Sequence, residues 1–127
     1  MPSEKHDRTY FQSRLREEMD RARRYSREFS LLLFEAVPAT DGIPVGRKVE
    51  FALDSIAPHL RASDVVARVF EDTVAALLVE TNEQGAHDAL FRIRNQLASR
   101  AGRWQVSAYY FPRDRADIES SSLLTAA

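Results

Sequence analysis

The amino-acid sequence predicts an α+β fold in which helices flank a central antiparallel or mixed sheet. Segments of helical periodicity alternate along the chain with short apolar segments. Two of the apolar segments follow one another with only a polar break between them, as in a hairpin. The predicted order is α-β-α-β-β-α-β-(α), in which some strands are joined directly and others through helices. This order is typical of a ferredoxin-like arrangement.

The composition is that of one globular domain over residues 1–127. Hydrophobic residues make up 44% of the chain and charged residues 29%, and the net charge of -1 gives no general attraction to nucleic acid or anionic membrane. The absence of cysteine excludes disulfides, thiolate metal sites and cysteine nucleophiles. The first residues lack the apolar segment of a signal peptide, and no apolar run is long enough to span a bilayer. We therefore expect a cytoplasmic protein that does not bind nucleic acid or insert into a membrane.

A first helix is predicted from Asp7 to Arg27 and a first strand from Phe29 to Val37. The helix has an apolar face, and its members are Phe11, Leu15, Met19 or Glu18, Ala22, and Tyr25 or Ser26. The strand is a compact apolar run with Glu35 near its C-terminal end. The segment PATDGIPVG, which begins at Pro38, then predicts a loop because it is rich in proline and glycine.

A second helix is predicted from Arg47 to Leu60, because apolar side chains recur there at helical spacing. Pro58 lies in the last turn of this segment, where proline ends or kinks a helix. Arg61 and Asp64 follow directly in the sequence and form an Arg-x-x-Asp step. The helix is therefore predicted to end close to this step.

A hairpin is the centre of the predicted sheet. Its strands are Val65 to Val69 and Val74 to Val79, and Glu71-Asp72-Thr73 forms the polar break between them. Both strands are apolar almost throughout, which is typical of strands with both faces covered. We therefore expect helices on both sides of this hairpin.

The remainder of the chain predicts one more helix, one more strand and a partly helical tail. Asn82 or Thr81 caps a helix that runs to about Ser99, and Gly102 closes the connection that follows it. The alternating segment WQVSAYYF, Trp104 to Phe111, predicts a strand. The tail from Ala116 to Ala127 begins as a helix.

Four segments of this chain together resemble the GGDEF domains of the diguanylate cyclase family. They are YFQSRLREEMDRARRYSREFSLLLFE, LRASDVVARVFEDTVAALLVET, GAHDALFRIRNQL and WQVSAYYFP. Their order and spacing carry the resemblance, and they cover nearly the whole chain. The resemblance implies a GGDEF-type fold and a role in nucleotide signalling.

At the hairpin tip the sequence departs from the family signature Gly-Gly-Asp/Glu-Glu-Phe. The matching positions are Phe70, Glu71, Asp72, Thr73 and Val74. Glycine at such a turn allows close approach of a nucleotide, and phosphoryl transfer requires the substrate phosphates to be positioned. From these substitutions we predict that the chain is not an enzyme, with no catalytic residue, no bound metal and no cofactor.

The resemblance also implies a second nucleotide site. Many GGDEF domains bind their product, cyclic di-GMP, at an Arg-x-x-Asp step a fixed distance before the signature, and Arg61 and Asp64 stand at that distance. The family's additional arginine corresponds to Arg92. An arginine fork matches the O6 and N7 atoms of guanine, and a carboxylate accepts from its N–H edge. The sequence therefore predicts a cyclic di-GMP receptor that uses Arg61, Asp64 and Arg92, with a homodimer as one consequence of a two-guanine ligand.

Two alternatives to this receptor hypothesis remain open at the level of the sequence. In the first, the domain is a nucleotide-independent interaction module that contacts a protein partner through Arg14, Arg21 and Arg24 or through Tyr109 and Tyr110. In the second, Glu35 and Asp72 retain some affinity for Mg²⁺ and GTP, because both match metal-site carboxylates of the family. An Arg-x-x-Asp step also occurs by chance as a surface ion pair of little energetic value.

Overall fold

The computed structural model of this chain describes residues 5–38, 42–98 and 103–125. The elements, in chain order, are β1 (Lys5–His6), α1 (Arg8–Tyr25), β2 (Phe29–Ala36), α2 (Val45–Ile56), the 3-10 turn η1 (Ala57–His59), β3 (Val65–Phe70), β4 (Thr73–Val79), α3 (Glu83–Ala98), β5 (Trp104–Phe111), α4 (Arg115–Glu119) and α5 (Ser122–Thr125).

The strands form one sheet in the order β1-β3-β4-β2-β5. The four longer strands are antiparallel to their neighbours, and the two-residue β1 is parallel to β3. The run β2-α2-β3-β4-α3-β5 is the split βαβ arrangement of ferredoxin-like folds. The structure thus confirms the predicted α+β fold class.

Helices cover the sheet on both faces and divide the apolar side chains into two cores. On one face, side chains of α2 and α3 such as Ile56 and Ile93 pack over the strands. On the other face, Phe11 and Leu15 of α1 and Ile118 of α4 do the same. The central strand β4 pairs with β2 on one side and β3 on the other, and all of its residues are buried. The expectation of helices on both sides of the hairpin is therefore confirmed.

Helix α1 begins and ends at clear capping residues. Asp7 Oδ1 accepts a hydrogen bond from the Tyr10 N–H at 2.9 Å, and Ser26 ends the helix in the left-handed conformation with φ 54°. Glu18, and not Met19, takes the fully buried position on the apolar face. The alternative left open by periodicity is thus settled in favour of a charged side chain.

Helix α2 differs from the prediction at both ends. It begins at Val45 because Pro44 serves as its N-cap, so the loop after β2 is shorter than PATDGIPVG; residues 39–41 of that segment lie outside the described residues. It ends at Ile56, and a 3-10 turn containing Pro58 replaces the predicted last turn to Leu60. Proline lacks the N–H that a further α-helical turn would use.

The hairpin is tighter than predicted. Thr73 belongs to β4 rather than to the break, so the turn consists of Glu71 and Asp72. A register shift between Arg68 and Phe70 marks a β-bulge beside the turn, and Arg68 Nε donates to the Glu71 carbonyl at 3.0 Å.

The second half of the chain follows the prediction closely. Asn82 caps α3, because its Oδ1 accepts from the Gly85 N–H at 2.9 Å. The predicted helix end at Ser99 and the connection at Gly102 lie outside the described residues. Strand β5 has the predicted bounds, and the tail forms two short helices that bury Ile118 and Leu123. Within the described residues, no helix is both long enough and apolar enough to cross a bilayer.

Candidate functional site

The Arg-x-x-Asp step forms a tight turn between η1 and β3. The Asp64 N–H donates to the Arg61 carbonyl at 3.0 Å, and the Arg61 N–H donates to Asp64 Oδ2 at 2.9 Å. A carboxylate that accepts from the backbone in this way stabilises the turn locally. Asp64 thus acts first on the conformation of its own segment.

The same carboxylate connects the two ends of the hairpin. Asp64 is 5% exposed, and its Oδ1 accepts from the N–H of Val79, the last residue of β4, at 3.0 Å. A buried carboxylate is tolerated where hydrogen bonds replace its lost hydration. The predicted ligand-binding carboxylate is therefore buried in the protein interior, with a backbone donor on each oxygen.

Arg61, by contrast, lies at the surface with its side chain 59% exposed. Its Nη2 contacts the Val79 carbonyl, Thr81 Oγ1 at 3.0 Å and Asp64 Oδ1 at 3.5 Å. These contacts hold one corner of the guanidinium against the end of β4. Within the described part of the chain, Nε and Nη1 have no hydrogen-bond acceptor, so both nitrogens retain N–H groups that can donate to a ligand.

Arg92 lies on α3, which packs against η1 just before Arg61. It is exposed, and it falls two helical turns after Gly85 on the same face of the helix, about 10 Å along the axis. Gly85 and Thr81 line an open cavity of about 430 Å³. Thr81 therefore contacts Arg61 and also borders the face of α3 on which Arg92 lies.

The second group of predicted residues lies at the tip of the hairpin. Glu35 is exposed and pairs in register with Thr73, and the adjacent Ala36 N–H donates to the Asp72 carbonyl at 2.9 Å. Residues 35 and 72 therefore lie at the same end of the sheet, and carboxylate oxygens are donors of the kind Mg²⁺ accepts. No cluster of three or more metal-ligating side chains occurs among the residues that the structure describes.

A smaller cavity adjoins this tip and contains a residue that the sequence did not single out. Asp72 and the buried Lys48 both line this cavity of about 210 Å³, together with apolar residues at the end of β2 and the start of α2. Lys48 stands four and eight residues before Ala52 and Ile56, so the helical period already placed it on the apolar face. A lysine on the face of the helix that the pattern predicts to be buried was therefore the signal that could have identified this residue.

Phe70 does not project into the space beyond the hairpin tip. It packs against the core on the α1 face, and the Arg8 guanidinium lies over its ring at 4.9 Å. The sequence-based argument took Phe70 to obstruct a nucleotide at the turn. The structure gives this side chain a packing role instead.

The arginines of α1 are largely paired with acidic side chains of the same helix. Arg14 contacts Glu17 at 3.4 Å, and Arg24 contacts Asp20 at 3.3 Å. Arg21 lies 3.9 Å from the buried Glu18. This face of α1 therefore presents mixed charge.

Tyr110 and Asp114, at the end of β5, form an electrostatic cluster with Arg113. Asp114 accepts from the Tyr110 N–H, and this hydrogen bond, followed by the Arg113 side chain, holds the pKa of Asp114 below its ordinary value of 3.8. Desolvation, followed by the charge of Glu83, raises the pKa of Tyr110. The Arg113 guanidinium lies 4.8 Å from the Tyr110 ring and bonds Glu83 at 2.6 Å. Tyr110 is thus held in place by its own neighbours.

Comparison with known proteins identifies the family to which this arrangement belongs. The sequence model described as "Diguanylate cyclase, GGDEF domain" matches residues 5–112. This chain is a GGDEF domain. The resemblance found in the four sequence segments is thereby confirmed, and the domain is a signalling domain of the diguanylate cyclase family.

The GGDEF domain is similar in sequence to the probable diguanylate cyclase DgcC of Escherichia coli. The two are 31% identical over 98 residues, which cover 72% of this chain and 26% of the relative. The chain thus spans about a quarter of the length of that curated relative.

Solved structures show the same fold. A diguanylate cyclase protein from Thermotoga maritima superposes with a TM-score of 0.81 at 19% identity, covering 98% of this chain and 96% of that one. The GGDEF domain of DgcB from Caulobacter crescentus, solved in complex with c-di-GMP, superposes with a TM-score of 0.70 at 16% identity, covering 85% and 70%. At these identities the likeness concerns the fold alone.

The sequence-based prediction that the chain is not an enzyme is wrong in the light of these comparisons. The matching family is one of diguanylate cyclases, and the Escherichia coli relative bears that name. The prediction gave too much weight to the substituted signature at residues 70–74. Part of its reasoning was steric, and the packing of Phe70 against the core on the α1 face removes the contribution of that residue.

Proposed function

We propose that this GGDEF domain binds cyclic di-GMP, with Arg61 and Arg92 as contacts and Asp64 as the residue that positions Arg61. The observation that carries the proposal is the geometry of Arg61. Its guanidinium is held through Nη2 by Val79 and Thr81, and its Nε and Nη1 have no acceptor among the described residues. A guanidinium held in this way suits charge-assisted hydrogen bonds from Nε or Nη1 to a guanine or phosphate oxygen, because little side-chain freedom remains to be lost on binding.

The assignment of Asp64 as a positioning residue follows from its burial. Both of its oxygens already accept backbone N–H groups, from Arg61 and from Val79. A ligand that reached this carboxylate would have to enter a site that is 95% shielded from solvent. Asp64 therefore supports binding through the conformation of the turn that carries Arg61.

The space beside Arg61 also suits a dinucleotide. Thr81, which accepts from Arg61, lines the cavity of about 430 Å³, and Arg92 lies farther along the α3 face that borders it. A solved relative in this fold family, the DgcB GGDEF domain, was crystallised with c-di-GMP. We infer that Arg92 supplies a second guanidinium to the same ligand, for its phosphate or its other base.

The test is calorimetric titration of the purified chain with cyclic di-GMP. Arg61→Ala should weaken binding about tenfold or more, the loss of a charge-assisted hydrogen bond to the ligand. Arg61→Lys should weaken it nearly as much, because lysine retains the charge without the fork. Arg92→Ala should also weaken binding, because it removes the second guanidinium. Arg94→Ala removes another exposed arginine of α3, is the matched control for it, and should leave affinity unchanged.

A second set of reactions measures cyclic di-GMP formation from GTP and Mg²⁺, so that synthesis and binding are read independently. Binding that survives Arg61→Ala unchanged would contradict the assignment of this site. Absence of binding by the folded wild-type chain would contradict the receptor proposal and would leave the interaction-module alternative.

A further inference from the structure

The outer edge of β5 carries backbone groups that are open to pairing. No strand of the described part of the chain pairs with this edge. The Tyr110 N–H donates to Asp114 Oδ2 at 2.9 Å, and its carbonyl accepts from the Asp114 N–H at 2.7 Å, so both groups of Tyr110 point away from β2. Because alternate residues of an antiparallel strand direct both groups to the same edge, those of Trp104, Val106 and Ala108 also face outward.

The composition of β5 is uncommon for an edge strand. Proteins protect such strands from pairing with charged residues, proline or bulges. The eight residues WQVSAYYF contain no charge, no proline and no glycine, and their register with β2 is continuous. The opposite side of the sheet differs, since β3 carries Arg68, a bulge and the additional strand β1. Between Trp104 and Ala108 the edge of β5 thus lacks the features that prevent association, whereas at Tyr110 the turn to Asp114 covers it.

We propose that the outer edge of β5 pairs, antiparallel, with the same edge of a second copy of this chain, about a two-fold axis at Val106. In this register Trp104 lies opposite Ala108 of the partner subunit, so a large side chain meets a small one. On the other face Gln105 lies opposite Ser107 of the partner subunit, and two uncharged polar groups meet. The edge is therefore complementary to itself in both size and charge, as an isologous interface requires.

The proposed pairing satisfies the outward backbone groups and extends an existing core. Val106 exchanges two hydrogen bonds with its copy, and Trp104 exchanges two with Ala108 at each end of the paired segment. The side chains of these residues are half-buried and pack against the core under α2 and α3. Pairing places this row of side chains (Trp104, Val106 and Ala108) next to the same row of the partner subunit, so that the apolar surface of both rows is further removed from water. No nucleotide takes part.

The test is sedimentation velocity of the whole chain over a concentration series without nucleotide. The wild-type chain should show a monomer–dimer equilibrium. The double variant Gln105→Lys/Ser107→Lys places like charges opposite each other at two positions, and it should raise the dimer Kd about tenfold or more. Gln105→Glu/Ser107→Lys places opposite charges at the same two positions and should restore association.

Each outcome decides the proposal. A wild-type chain that remains monomeric at every accessible concentration would overturn it, and this measurement holds even if a variant fails to fold. Equal Kd values for the wild-type chain and the Lys/Lys variant would overturn the register. Failure of the Glu/Lys variant, with a circular dichroism spectrum like that of the wild type, to associate more tightly than the Lys/Lys variant would overturn it as well.

Discussion

The main role of Asp64 is to accept hydrogen bonds from the backbone inside the protein. It receives the N–H groups of Arg61 and Val79 at 2.9 and 3.0 Å while being 5% exposed. Truncation to alanine leaves the Val79 N–H buried without an acceptor and opens the Arg61 turn. Each such unsatisfied buried group costs about 1–3 kcal/mol. A sequence match to a ligand-binding aspartate gives no information on this internal role.

We therefore predict that Asp64→Ala lowers the free energy of unfolding by about 2–3 kcal/mol. Arg61→Ala removes an exposed side chain and should lower it by less than about 1 kcal/mol. Urea denaturation of the two variants checks this difference. Equal stability losses would show that Asp64 is not the more important of the two for the fold.

Asp114 provides a residue-scale prediction about pH. Its pKa is lowered in the folded state, chiefly by the hydrogen bond from the Tyr110 N–H. A group whose folded-state pKa is depressed contributes stability that is present above its unfolded pKa and is lost as pH falls through the folded value. The contribution should thus be complete at neutral pH and disappear below about pH 3.8, the ordinary value for this group.

Thermal unfolding of the wild-type chain and of Asp114→Asn over an acid pH series measures this effect. The wild-type chain should be the more stable of the two at neutral pH, and the two melting temperatures should converge as pH falls. A difference that stays constant down to the most acid point would exclude the Asp114 charge as its cause.

Helix α1 carries a charge on its packing face. Glu18 is 1% exposed, and neither of its carboxylate oxygens has a hydrogen-bond partner among the residues that the structure describes. The Arg21 guanidinium lies 3.9 Å from it. A buried carboxylate with so few compensating contacts reduces the stability of the folded state. We predict that Glu18→Met raises the free energy of unfolding by about 1 kcal/mol or more.

Glu17→Met, at the exposed neighbouring position, is the matched control for this change. Glu17 has a side chain that is 57% exposed, so its substitution should alter stability by less than about 0.5 kcal/mol. Chemical denaturation of both variants gives the comparison. A destabilised Glu18→Met variant would indicate that the carboxylate has compensating partners in solution.

At the level of elements, the sequence predicted most of what local chemistry determines. Helical period placed the face of α1, and Asn82 capped α3 as expected. The disruption at Pro58 was also predicted, and the structure has a 3-10 turn there. Two features escaped because they depend on distant residues or on fine backbone geometry: the inclusion of Thr73 in β4, and the pairing of β1 with β3. A two-residue parallel strand has no periodicity that a sequence could reveal.

The whole molecule has two cores that share one sheet. Ile93 belongs to the core under α2 and α3, and Phe11 belongs to the core under α1. Because the strands between them contribute side chains to both faces, loss of either core exposes the same sheet. We expect Ile93→Ala and Phe11→Ala to destabilise the domain by about 2–5 kcal/mol each, in a single cooperative transition.

Unfolding followed by far-ultraviolet circular dichroism and by Trp104 fluorescence checks this expectation. Trp104 packs against the α2 and α3 side, so its signal reports on one core and the dichroism on both. Coincident transitions in both variants support one cooperative unit. Separate transitions would show that the two layers unfold independently.

At this scale the sequence predicted the fold better than the site. Strand order and layering follow from element order and from the apolar pattern of β4, which is covered on both faces. The state of Arg61 and Asp64 depends on Val79 and Thr81, which lie many residues farther along the chain. Only the closed hairpin brings these groups together, so spacing alone could not separate the buried carboxylate from the exposed arginine.

The bond from Asp64 to Val79 also has a consequence for local opening. The last residue of a strand ordinarily frays, and its amide proton exchanges with solvent quickly. Here the Val79 N–H donates to the Asp64 carboxylate, which directly precedes β3 at the same open end of the hairpin. That carboxylate is itself anchored in the Arg61 turn. Its proton should therefore exchange as slowly as those in the middle of β4. The end of the hairpin nearest Arg61 then opens only when the sheet as a whole unfolds.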